Sequence, residues 1–260
     1  MAKIAVLKGT SGVGKGTRVI QLVEYLKTVW KHSTVHYTFE GKQRQLGVAF
    51  HEQKLLFVGR VVTSNKSGLA SWTSMDDMHS TVKNVVNIPA ILKPWFDKGY
   101  TLICEGEPMM QSNRWRPLYL SETFGVSHMF IQYFHYAGDR NAYDVRIVGR
   151  SGKEAGEAGW SREESYEREH LKVKEELTAL GLRNTQMNDQ FWDFWSGEDE
   201  GYSLNRIAKY DEAVHIWGAG FLDWVGCGYL SRDFIKFAEK KPMLREINGA
   251  NPLAKTKRLW

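Results

Sequence analysis

The apolar run Lys3-Ile4-Ala5-Val6-Leu7-Lys8 meets Gly9-Thr10-Ser11-Gly12-Val13-Gly14-Lys15-Gly16-Thr17, and no other stretch of the chain constrains its fold as tightly. A short apolar run that stops at a glycine reads as a buried parallel strand. Beyond Lys15, the apolar positions Val19, Ile20, Leu22, Val23 and Leu26 recur at helical spacing up to about Trp30. Strand, glycine loop and helix in that order form a cradle for phosphate. Glycines let the backbone turn its N–H groups inward around phosphate oxygens, and the helix N-terminus adds the positive end of its dipole. Gly12, Val13, Gly14, Lys15, Gly16 and Thr17 would line that cradle, with Lys15 reaching the outer phosphates as a point charge. A tight structural turn is the plainer alternative, but it requires neither the Gly-x4-Gly-Lys spacing nor the flanking strand and helix.

Downstream, strands and helices alternate. Val35 to Phe39 reads as a second strand, and Leu46 to Phe50 with Leu55 to Val62 as a hairpin about the polar segment 51–54. Residues 64–74 read as a polar loop, and Met75 to Phe96 as a helix interrupted around Pro89 or Pro94. Thr101-Leu102-Ile103-Cys104 is the next buried strand, ending at Glu105-Gly106-Glu107-Pro108. A helix over about 113–123 and a strand over about 127–135 follow. The glycine- and charge-rich segment 149–159 reads as a mobile loop. Ser161 with Glu164 forms a capping box that opens a charged helix ending near Gly181. This alternation predicts an α/β fold, a three-layer sandwich around a parallel sheet. Residues 1–190 would form the core, with a lid over about 138–162. Residues 191–260 would add an aromatic-rich C-terminal lobe and a basic tail.

Composition excludes several classes. No apolar run approaches the roughly 20 residues of a membrane span, and the N-terminus lacks the layout of a secretory signal. Cys104 and Cys227 alone make neither a disulfide framework nor a zinc site, so a reduced, cytoplasmic protein is expected. The eight histidines show no ligand spacing, and no serine sits in a nucleophile-elbow sequence. The net charge of +5 hides an asymmetry: residues 1–60 carry ten basic and three acidic side chains, while 161–239 carry nine and sixteen. A polyanion site in the N-terminal part follows from that separation.

One departure bears on the metal. Gly16 follows Lys15 where a phosphate loop usually carries Ser or Thr, and the hydroxyl comes one position later at Thr17. Mg2+ would therefore depend on nucleotide phosphates, water and an acidic residue elsewhere. The Gly-Lys-Gly-Thr ending resembles the adenylate kinase and nucleoside monophosphate kinase group. That resemblance implies a P-loop NTPase kinase fold, ATP as donor and a mobile arginine-bearing lid.

Glu105 stands at the carboxyl end of an apolar strand, where doubly wound sheets place their ligands. It is a candidate to hold Mg2+, through water or directly, or to take the acceptor's proton; Glu107 is a second candidate. In Ser71-Trp72-Thr73-Ser74-Met75-Asp76-Asp77, Trp72 could stack on a base and Asp76 could orient or deprotonate a hydroxyl. Helix capping by Ser74 would use the same residues. Arg60, at the hairpin's end, and Arg114 are candidate ligands for an anionic acceptor. Arg146 and Arg150, at i and i+4 in the lid, would present two guanidinium groups to the migrating phosphoryl. Aromatics such as Trp192, Trp195, Trp217 and Trp224 offer either stacking platforms or the core of their lobe.

Together, the glycine loop, the Ser-Trp-Thr-Ser-Met-Asp stretch and the Gly-Arg-Ser-Gly-Lys-Glu lid resemble the 5-hydroxymethyluridine DNA kinases of thymine-hypermodifying phages. The resemblance implies ATP-dependent phosphorylation of the hydroxymethyl group on a base within DNA, in the host cytoplasm. The target base would then leave the stack to reach the ATP site. A kinase for free deoxynucleoside monophosphates and a DNA-stimulated P-loop ATPase are the alternatives.

Overall fold

The computed structural model describes residues 2–9, 14–63, 70–73, 75–82, 87–106, 115–126, 128–134, 140, 143–144, 147, 156–181, 183–184 and 217–240. Strand β1 (Ile4–Gly9) is buried along its whole length. It pairs in parallel with β7 (Thr101–Glu105) on one side and β8 (His128–Phe134) on the other. Around it, the described strands build one sheet in the order β2-β3-β4-β7-β1-β8-β9, from β2 (Ser33–Phe39), β3 (Lys42–Phe50), β4 (Leu55–Val58) and β9 (Arg183–Asn184).

Helices cover both faces, because β1 is apolar on both. Ala5 and Leu7 pack with Val19, Leu22 and Leu26 of α1 (Lys15–Val29). Ile4 and Val6 pack on the other face with α2 (Met75–Val82), α3 (Asn87–Asp97) and α4 (Pro117–Phe124). The long helix α5 (Glu157–Ala179) joins that second face through Val173 and Leu177. The α/β layering is therefore as the alternation predicts. No helix among the described residues is long and apolar enough to cross a membrane.

The sheet is mixed rather than parallel. β2 and β3 are antiparallel neighbours, and β3 is antiparallel to β4. The cause is the two-residue turn Glu40-Gly41, both with positive φ (50° and 72°), which reverses the chain as a hairpin turn and leaves no room for a crossover. The strand expected over 55–62 is also divided. Gly59, at φ 134°, donates its N–H to the Leu46 carbonyl at 2.8 Å and turns the chain out of the sheet. Beyond it, β5 (Arg60–Thr63) pairs with β6 (Ala70–Thr73), so part of the expected polar loop is a strand.

Two helix boundaries differ from expectation. Helix α3 starts at Asn87, and Pro89 is its third residue, where a missing N–H costs nothing. Pro94 lies inside the helix. Helix α5 starts at Glu157 with Gly156 as N-cap, so Ser161 and Glu164 are exposed residues within it rather than a capping box. The earlier start buries Trp160 against Tyr143, with ring centroids 5.6 Å apart.

Of the aromatic C-terminal lobe, residues 217–240 are described. A helical stretch over 217–224 lays Phe221 against Phe57 and Phe130 of the sheet, each at 5.9 Å, and Trp224 on Phe130 at 5.2 Å. Phe234 of α6 (Ser231–Lys240) then packs on Tyr25 of α1 at 5.5 Å. These rings cover the α1 face of the sheet.

Candidate active site

The carboxyl ends of β1 and β7 meet the N-terminus of α1. Gly14 caps that helix in the left-handed region (φ 90°), which only glycine adopts without steric cost, and the first turn carries no acidic residue. An anion is favoured there by the helix dipole and by the backbone N–H groups that point along the first turn. Lys15, the first helical residue, is buried; its Nζ donates to the Gly9 carbonyl at 2.9 Å and stands 3.8 Å from Glu105 Oε1. Glu105 ends β7 and is itself 4% exposed. Parallel pairing of Leu7 with Glu105 sets this meeting. A buried ion pair is costly to desolvate and is weak evidence for stability.

Trp72 is the lateral wall. A Cβ built on Gly16 would lie 3.4 Å from Trp72 Cβ and 4.0 Å from Glu105 Oε2. At its other end, the Trp72 indole packs on Gly59, where a Cβ would lie 2.5 Å from Nε1. Trp72 is 8% exposed and belongs to the core cluster that includes Leu7 and Ile103. The ring is thus packed between Gly16 and Gly59.

Asp76, exposed on the first turn of α2, packs beside Gly106, the residue after Glu105. Its Oδ1 would be 3.2 Å from a Cβ on Gly106, and Met75 Cβ would be equally close. Gly106 thus lets the start of α2 sit directly against the end of β7. Lys15, Gly16, Trp72, Asp76 and Glu105 are brought together. Thr17 is partly buried on α1. Arg60 lies beyond Trp72, with Nε 3.4 Å from Asp77 Oδ2 and both side chains about half exposed. Gly12, Val13, Glu107, Arg114, Arg146 and Arg150 lie outside the described residues, as does Ser74.

Behind the site is a group that the sequence reading passed over. Lys8, on the face of β1 that carries Ile4 and Val6, is buried and donates to the Trp115 carbonyl at 2.8 Å. Burial pushes its ammonium down to about 7, Arg116 adds to the fall, and Glu176 and Glu169 oppose it. Trp115 Nε1 in turn donates to His79 Nε2 of α2 at 3.2 Å. Lys8 and His79 together tie the end of β1 to the helix carrying Asp76. The available signal was the period of two: Lys8 continues the inward series Ile4, Val6.

Among the described residues, no group of three or more His, Cys, Asp or Glu side chains converges as a metal set. Cys104 is buried at the centre of β7, and burial raises its thiol far above the reactive range.

A family model described as 5-hmdU DNA kinase 2 matches residues 1–258. A protein of Salmonella phage ViI with that description is 42% identical over 274 residues, spanning 98% of this chain and 88% of the phage protein. No solved structure matches.

Proposed function

The chain belongs to the 5-hmdU DNA kinase 2 family, and on that premise we propose that it moves the γ-phosphoryl group of ATP to the 5-hydroxymethyl oxygen of hydroxymethyluracil in DNA, on a P-loop kinase scaffold. The observation that carries this reading is the convergence of Lys15, Glu105 and Asp76 on one strand–loop–helix junction. Family membership supports the acceptor, and the glycine loop supports the donor.

In the reaction, the hydroxymethyl oxygen bonds to the γ-phosphorus while the bond from that phosphorus to the β,γ-bridging oxygen breaks. The electron pair leaves with the β-phosphate. Phosphoryl transfer passes through a loose transition state, so positioning and charge stabilisation count for most of the catalysis. Lys15 and the backbone N–H groups at the start of α1 hold the phosphate chain. Asp76, exposed at the mouth of the site, accepts the hydroxyl proton. Arg146 and Arg150 supply guanidinium groups to the phosphoryl oxygens.

The donor set suits Mg2+, which needs few protein ligands when phosphates and water complete its shell. Glu105 would hold it, since its carboxylate reaches toward the point where a hydroxyl on residue 16 would begin. Bound there, the ion would neutralise charge on the phosphates. A phage enzyme with this substrate works in the host cytoplasm.

The test is transfer from γ-labelled ATP to three acceptors: DNA containing hydroxymethyluracil, ordinary DNA and free deoxynucleoside monophosphates. Label on the modified DNA is expected. Label on free monophosphates alone would replace the acceptor, and phosphate release stimulated by DNA without labelling would replace the reaction.

A further inference from the structure

Strand β3 pairs with β2 along its length but with β4 only from Gly47 onward. Lys42 to Gln45 therefore have a described strand neighbour on one side only, and Lys42, Gln43 and Arg44 are exposed. Cross-strand register puts Arg44 opposite Tyr37 and Lys42 opposite Phe39. Directly opposed residues share a face, and Tyr37 and Phe39 pack on the core beneath α2. Arg44, opposite Tyr37, accordingly stands beside a shallow cleft of about 10 Å³ lined by Tyr37, Gln45, Arg60, Thr73 and Asp77, and Lys42 lies two residues further along the ribbon. Tyr37 feels the charges of Arg44, Arg60 and Asp77, although burial is what dominates its hydroxyl. Arg60 pairs with Asp77 in the cleft at 3.4 Å, Arg44 acts on Tyr37 from the ribbon, and Lys42 extends the positive charge toward the turn at Glu40.

This face adjoins the active site through one side chain. Trp72 touches Gly16 at its Cβ end and Gly59 at its Nε1 end, and Arg60 follows Gly59 directly. A cationic ribbon one indole away from the loop lysine suits a ligand whose negative charges repeat along its length.

We propose that the β2–β3 ribbon and the adjoining cleft form the docking surface for DNA, with Lys42, Arg44 and Arg60 each facing a backbone phosphate of the strand that carries the target base. Such contacts position the strand and carry no sequence information. The proposal rests on the reading of DNA as acceptor. The target base is delivered to Asp76 because the phosphates beside it are held on the far side of Trp72.

The test uses the full chain with Lys42→Gln and Arg44→Gln combined, and a labelled oligonucleotide containing hydroxymethyluracil, single-stranded and duplex. Fluorescence anisotropy across a salt series should show affinity falling roughly tenfold, and the slope of log affinity against log salt becoming shallower by about 1.4 to 1.8 for two lost contacts. Arg44→Glu should weaken binding further, while ATP affinity and thermal midpoint stay unchanged. Lys236→Gln on α6 should match wild type in both measures. Equal affinity and slope in the double variant and wild type would overturn the docking surface. The acceptor reading is judged separately, by label transfer: wild type labelling only free monophosphates would remove that reading while the anisotropy result still decides docking.

Discussion

The Lys15 ammonium stands 3.8 Å from the Glu105 carboxylate, each side chain 6% exposed, where the start of α1 meets the end of β7. Two buried opposite charges at a strand end are poised for a charged ligand, because phosphate and metal can each take over one partner. Lys15→Ala should abolish transfer, and Glu105→Gln should lower kcat by about 10² to 10³. Transfer of label from γ-labelled ATP measures both. Activity within tenfold of wild type in Glu105→Gln would remove it from the site.

The two glycines under Trp72 should behave differently. A side chain on Gly16 meets Trp72 at ordinary contact distance (3.4 Å), so Gly16→Ser should fold with a stability loss below about 1.5 kcal/mol. Gly59 has φ 134°, and a Cβ there would collide with the Thr73 carbonyl and the indole. Gly59→Ala should cost more than about 2 kcal/mol. Urea denaturation of both variants checks the contrast.

Lys8 makes a pH prediction. Its folded pKa of about 7 lies below the unfolded value of 10.5, so above pH 7 the unfolded chain holds the extra proton. Stability contributed at this site therefore rises with pH across that window, by as much as about 1.4 kcal/mol per unit. Lys8→Met should lose this dependence. The stability difference between variant and wild type, followed from pH 7 to 9.5, should shift steadily in favour of wild type. A constant difference would show that Lys8 is not buried as a neutral amine.

Arg60→Gln removes a half-exposed cation beyond Trp72. It should raise KM for DNA about fivefold and leave kcat within about twofold, since its contact is uniform between ground and transition states. Steady-state kinetics with hydroxymethyluracil-containing DNA separates the two constants. A fall in kcat with unchanged KM would move Arg60 into the reaction itself.

Much of the candidate site's frame was legible in the chain because its signals are local. A strand that stops at glycine, a helix that starts at lysine and a carboxylate at the next strand's end are each written within a few residues. Backbone sterics and side-chain periodicity act over that range. Asp76 could be named from its neighbours, although not distinguished from a helix cap. Trp72 was the opposite case: an aromatic in a polar stretch reads as a stacking platform, and its burial depends on Gly16 and Gly59, which approach from distant parts of the chain. The break of β4 at Gly59 follows from that same packing.

By itself, then, the sequence of this protein determined strand β1, the helix that starts at Lys15, the acidic end of β7 and the α/β layering, because short-range preferences add along the chain. Only the tertiary structure decided that the sheet is mixed, that Trp72 is packed between Gly16 and Gly59 and that Lys8 is buried beneath Trp115. These are contacts between segments far apart in sequence, selected by how apolar faces close over one another, and no local pattern records which faces will meet.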